Sequence, residues 1–94
     1  MKLAKIGRSK IEDHYGKVTL SSYASAEVEG TLEELEAFES FAVENEWQEP
    51  TCEREEVKEN KKGVMIYSDM YDFDADEIKD FKRLYKSFKQ SQEV

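Results

Sequence analysis

Two helical stripes, each preceded by a hairpin loop, constrain this chain more than any other feature. The first stripe is Leu32, Leu35, Phe38, Phe41 and Ala42, apolar at the spacing of one helix face. Thr31 before it and Glu34 three residues later form a capping-box pattern. A helix is therefore predicted from Leu32 to about Glu46, with Pro50 beyond it as a stop. The second stripe is Ile78, Phe81, Leu84, Tyr85 and Phe88. It predicts a helix from Ala75 to about Gln90, started through Asp74 and Glu77. Its outer face carries Lys79, Lys82, Arg83, Lys86 and Lys89, mostly in the later turns, where cations complement the helix dipole.

Asp13-His14-Tyr15-Gly16 and Asn60-Lys61-Lys62-Gly63 both suit a type I turn closed by a left-handed glycine. After the first loop, Val18, Leu20, Ser22, Ala24, Ala26 and Val28 fall on one face of a long strand. After the second, Val64, Ile66, Ser68 and Met70 share one face, and Met65, Tyr67, Tyr71 and Phe73 the other. A strand apolar on both faces is central, or is covered on its second face by a partner; the second case raises a homodimer as an expectation. The incoming strands are weaker: Lys2 to Arg8, and the polar stretch Thr51 to Lys58, which belongs at an edge.

A shift of 46 residues lays Val18 on Val64, Leu20 on Ile66, Leu32 on Ile78, Leu35 on Phe81 and Phe38 on Leu84. A true internal repeat and two unrelated units of similar element length both produce such an echo. Either way the fold class is α+β: a four-stranded, mostly antiparallel sheet with two helices on one face, in the order ββαββα. Residues 1–94 then form a single domain, with a first hairpin–helix unit over 1–46 and a second over 47–94.

The net charge is −8, which argues against broad attraction to phosphate or to anionic membranes. No stretch has the length of a membrane span, and the basic start has no apolar run behind it, so neither a membrane partner nor a signal peptide is expected. Cys52 is the only cysteine, and a lone thiol fits a reducing compartment, the cytoplasm. Charge is unevenly spread. Residues 1–25 carry five basic and two acidic side chains, residues 26–60 carry two and thirteen, and residues 61–94 carry seven of each. Charged helix faces are most often simply solvated. The sharper interpretation is that Glu33, Glu36, Glu39, Glu44, Glu53, Glu55 and Glu56 form a surface for a basic partner protein. Carboxylates spaced along a helix and a neighbouring strand can approximate nucleic-acid phosphates, so the surface would work as a mimic. A third option is self-association, with the acidic face of one copy on the basic helix of another.

Other chemistry finds little support. Asp72-x-Asp74-x-Asp76 opens like a calcium loop, but Glu77 stands where glycine is needed and Arg83 where the bidentate glutamate is needed. His14 is the only histidine and lies in a turn, and Cys52 is surrounded by Glu53, Glu55 and Glu56, which oppose thiolate formation. No metal, cofactor or catalytic residue is expected. The leading expectation is a non-catalytic, cytoplasmic interaction or inhibitor module. The alternative is a single-stranded nucleic-acid-binding module that uses Tyr67, Tyr71, Lys79, Lys82, Arg83, Lys86 and Lys89, aromatic stacking beside a basic rim. Trp47 is either a cap on the core edge or an interface anchor.

Overall fold

The computed structural model describes residues 1–92. Strands β1 (Lys2–Glu12) and β2 (Val18–Gly30) precede helix α1 (Leu32–Glu44); β3 (Glu55–Glu59) and β4 (Met65–Asp74) precede a 3₁₀ turn (Ala75–Glu77) that runs into α2 (Ile78–Gln92). The sheet order is β1-β2-β4-β3, and every neighbouring pair is antiparallel. This is the expected ββαββα layout, with β4 central and β3 at an edge. The hairpin loops close as the sequence requires. Asp13 Oδ1 accepts from the Tyr15 and Lys17 amides, and Asn60 Oδ1 from those of Lys62 and Val64. Gly16 and Gly63 then take φ near +78° and +79°, a region open to glycine at little cost.

Both helices cover the same sheet face, because Phe38 of α1 and Phe81 of α2 both meet the ring of Tyr71. That face is built from small residues on β2, namely Ala24, Ala26 and Val28, and rings on β4, namely Tyr71 and Phe73. The small side chains leave room for Phe38. Its ring makes edge-to-face contacts with Tyr71, Phe81, Tyr85 and Phe88 at centroid distances of 5.2–6.0 Å, a geometry set by the ring quadrupoles.

Several expectations are corrected. Helix α1 stops at Glu44, two residues early, because Glu46 turns left-handed at φ 67° and closes the end. The second helix begins as a 3₁₀ turn and becomes α only at Ile78, β1 runs on to Glu12, and β3 starts at Glu55 rather than Thr51. The 46-residue echo holds for the buried helix positions, where Leu35, Phe38 and Ala42 match Phe81, Leu84 and Phe88. It fails for the strands. Antiparallel partners point to the same side, and the pairs are Ala24↔Phe73, Ala26↔Tyr71 and Val28↔Asp69. From Ala24 to Gly30, even positions of β2 thus share a face with odd positions of β4, whereas a 46-residue shift lays inward Ala24 on outward Met70; nearer the loop the pairing with β1 slips between Arg8 and Lys10, and Ser21 rather than the expected Ser22 is buried. The echo is one of layout, not of residue-by-residue equivalence. On the outer sheet face, Ile66, Ser68 and Met70 are already half-buried among the neighbouring strands, and Val64 lies just outside β4.

Candidate partner-binding surface

Helix α1 buries Leu35, Phe38 and Ala42 and so turns Glu33, Glu36 and Glu44 to solvent, with Glu39 half-buried at the flank. Its start is fastened. The Thr31 amide donates to Glu34 Oε1 at 3.0 Å, the Glu34 amide donates to Thr31 Oγ1 at 3.3 Å, and the Met1 ammonium donates to Glu34 Oε2 at 2.7 Å. Partial burial would raise the Glu34 pKa, but the hydrogen bonds from the Met1 ammonium and Thr31 outweigh it and hold the carboxyl below its usual value.

The segment leading to β3 is attached to β4 by the Thr51 amide, which donates to the Met70 carbonyl at 2.8 Å. This delivers Arg54 to α1. Arg54 Nε meets Asp69 Oδ1 at 2.8 Å and Nη2 meets Oδ2 at 2.9 Å, a bidentate pair with a carboxylate that is 1% exposed. The same guanidinium lies 3.4 Å from Glu39 Oε2 and 3.8 Å from Glu36 Oε1. Hydrogen bonding to Asp69 raises the Arg54 pKa against the desolvation that would lower it.

The seven acidic candidates are thereby divided. Glu36 and Glu39 gather around Arg54. Glu33, Glu44 and Glu53 are exposed. Glu56 is opposite Tyr67 and so lies on the helix side of the sheet, whereas Glu55, opposite Ser68, lies on the other side. Lys58 pairs with Ile66 on that other side as well. Beyond Glu44 the surface continues into an open pocket of about 310 Å³, where Trp47 and Phe73 meet Glu46, Asp72, Glu77 and Asp80. Trp47 itself is half-buried, edge-on to Phe73 at 5.7 Å and to Phe81 at 5.4 Å. It therefore caps the core edge and lines this pocket as well.

The nucleic-acid alternative loses its stacking platform. Tyr71 is 2% exposed beneath both helices, and Tyr67 is half-buried on the same face. The Tyr71 hydroxyl has no hydrogen-bond partner among the described residues, and burial, reinforced by the charges of Asp69 and Glu39, pushes its pKa up. The cations remain in place. Lys79, Lys82, Arg83 and Lys86 are exposed on α2, Arg83 lies 3.4 Å from Asp80, and Lys89 donates to the Met1 carbonyl at 3.2 Å.

His14 and Cys52 are not brought together. Cys52 follows Thr51, which pairs at the level of Met70 and Glu27, while His14 is at the hairpin tip beyond Val18. From Glu27 to Val18 along β2 is roughly 30 Å at strand rise. Oxygens of Asp74, Asp76 and Glu77 approach within 4.8 Å of one another, but Glu77 already accepts from the Asp74 amide at the start of the helix.

The Arg54–Asp69 pair and the Trp47 pocket were not anticipated from the sequence. The available signal was Asp69 standing in phase between Tyr67 and Tyr71, a polar residue on the inward face of a strand. Among the described residues no helix is long and apolar enough to cross a membrane. No family model, no curated protein and no solved structure matches the chain.

Proposed function

We propose that the chain is a non-catalytic binding module whose acidic side engages a basic surface on a partner protein. One observation carries this reading. Residues 26–60 hold thirteen carboxylates and two cations, and only one of the cations lies on the helix side. Arg54 is committed to Asp69, Glu39 and Glu36, and Lys58 faces the opposite side of the sheet. The surface that remains runs along α1 past Glu33 and Glu44 to the Trp47 pocket. The carboxylates of Glu46 and Asp72 beside the indole, with Glu77 on the Asp74 amide and Asp80 near Arg83, suit a lysine or arginine side chain held by charge. An exposed thiol at Cys52 supports a reducing compartment such as the cytoplasm.

The choice of variants follows from the ion pairs. Reversing Glu36 and Glu39 would set new cations against Arg54 and disturb the fold along with the surface. Glu33, Glu44 and Glu53 are exposed and lie outside every ion pair among the described residues. A photo-crosslinker at Glu44 should identify the partner, and Trp47 fluorescence should then report its binding. The Glu33→Lys/Glu44→Lys/Glu53→Lys variant should bind that partner roughly tenfold or more weakly, the sum of three exposed charge contacts. It should also show a shallower salt dependence. Unchanged affinity in this variant would overturn the acidic-face reading. Anisotropy against labelled single-stranded DNA and RNA should show no binding. Salt-sensitive binding lost in Lys82→Glu/Lys86→Glu would instead place function on α2.

A further inference from the structure

Strand β1 is the longer of the two sheet edges, 11 residues against 5 in β3, and it pairs only with β2. Its start is occupied, since the Tyr85 hydroxyl and Lys89 donate to the Met1 carbonyl. From Lys5 onward no further strand pairs with it, and a row of unpaired backbone donors and acceptors is a template for another extended chain. Gly7 lies in the middle of this edge, and nothing inside the molecule requires glycine there. Its φ is not left-handed. The pairing is regular from Lys5↔Glu27 to Arg8↔Ala24, so no bulge falls on it. A Cβ added at Gly7 would meet nothing within 4 Å. Glycine weakens a strand, and where neither a bulge nor a bend needs it, it marks the close approach of another backbone or a ligand.

Around Gly7, the stretch from Lys5 to Lys10 and Ser25 of β2 line an open depression of about 430 Å³. Its wall holds three cations and no carboxylate. The imbalance extends over the whole edge. Strand β1 carries Lys2, Lys5, Arg8 and Lys10 against Glu12, and α2 carries five cations against Asp80. Helix α2 runs along this edge: Ile78, Lys82, Tyr85 and Lys89 share one stripe at helical spacing, and the last two reach Met1. Of the nine cations, Lys2 is held by Glu29 and Arg83 by Asp80, which leaves seven. Against them stand Glu12 and Glu27, which is opposite Lys5 but in no ion pair among the described residues. Arg8 uses only its Nε, on the Ser21 carbonyl. Beyond Glu12, Asp13 and Lys17 cancel across the hairpin loop.

We propose that the β1 edge from Lys5 to Lys10 receives an extended acidic segment of a partner protein as a fifth strand, its backbone passing close to Gly7. Main-chain hydrogen bonds along an open edge give such a contact its affinity, and alternate side chains give it specificity. Carboxylates on the outer side of the sheet meet Lys5, which shares that side with Glu27 and Met70. Carboxylates on the helix side meet Arg8, opposite buried Ala24, and the Lys82 stripe of α2. The same cations repel the β1 edge of a second copy, as lysines on sheet edges do. The proposal adds a second partner, opposite in charge to the first. It uses no residue of the acidic face, so the two readings stand or fall separately.

The probe is a short peptide alternating glutamate with valine, and its control alternates glutamine with valine. At low salt the acidic peptide should shift the backbone amides between Lys5 and Lys10 and leave those of Glu55 to Glu59, on the other edge, in place. The control peptide should bind roughly tenfold or more weakly, the loss expected of several charge contacts. Gly7→Val should raise the thermal midpoint, because valine suits a strand better than glycine, and yet weaken peptide binding, because its side chain occupies the line of approach. Lys5→Glu/Lys10→Glu should also lose binding, with circular dichroism showing the fold intact. The proposal is overturned if β1 does not shift, if the neutral peptide binds equally well, or if Gly7→Val binds like the native chain. A Gly7→Val protein that is less stable or unfolded also overturns it, since the glycine then serves the fold. Tighter binding of an oligothymidylate at the same amides would put a phosphate chain on this edge instead. Shifts at Lys5 to Lys10 that grow with protein concentration alone would put a second copy there; either result overturns the acidic segment as occupant.

Discussion

Arg54 is the side chain on which the acidic surface depends. Its partner Asp69 is almost fully buried, and the guanidinium is 20% exposed. A buried carboxylate without a cation is costly, because little water is left to solvate it. Arg54→Ala should therefore destabilise the domain by about 3–5 kcal/mol, the range for breaking a buried pair from one side. Replacing both partners, as Arg54→Met/Asp69→Leu, should restore most of that loss, because the charge that needed compensation is gone. Urea midpoints of the two variants test the pair directly. If Arg54→Ala costs no more than an exposed ion pair, about 1 kcal/mol or less, Asp69 is not held by Arg54. The same pair orients Glu36 and Glu39, so Arg54→Ala should also disturb the acidic surface that a partner meets.

At the scale of elements, the end of α1 shows how a surface feature is held against backbone preference. The Trp47 amide donates to the Ala42 carbonyl at 2.9 Å and the Glu46 amide to that of Val43 at 3.1 Å. This is a Schellman closure, and its left-handed position usually belongs to glycine. Here Glu46 occupies it at φ 67°, at a cost of roughly 1–2 kcal/mol for an L side chain. Glu46→Gly should raise stability by about 1 kcal/mol after glycine's own entropy is counted, read as an increase in the thermal midpoint. A loss of stability would mean that the Glu46 side chain makes contacts that outweigh the strain. Glu46 also explains a limit of the sequence. The caps at Thr31 and the two Asx loops were legible because each rests on chemistry within five residues. The stop of α1 was not, since a glutamate gives no left-handed signal. The phase of β4 was obscured for a related reason. Asp69 interrupts the apolar series on the inward face, and only Arg54, fifteen residues earlier, makes that burial tolerable. The exposure of Val18 and Leu20 near the β1–β2 loop was equally hidden, because it depends on how far the helices reach, which no local pattern encodes.

Across the whole molecule, charge is sorted from one edge of the sheet to the other. Helix α2 reaches the β1 side, where the Tyr85 hydroxyl and Lys89 both donate to the Met1 carbonyl; α1 and β3 occupy the other side, linked by Arg54. Attraction between the two edges acts over distances that salt screens, since the Debye length is about 10 Å at 0.1 M. Repulsion among neighbouring carboxylates acts within that length, and Arg54 is the cation spent against it. Salt should therefore raise the thermal midpoint at pH 7, the reverse of the response expected from a domain held by surface ion pairs. Acid should act through Glu34. Its pKa is lowered in the folded state, so its contribution is fully present above the ordinary value of 4.5 and is lost as pH falls through the folded value. Glu34→Gln should flatten that loss, read as thermal midpoints of the two proteins between roughly pH 5 and pH 3. A thermal midpoint that falls with salt at pH 7 would mean that repulsion at the acidic edge does not dominate the molecule's electrostatics.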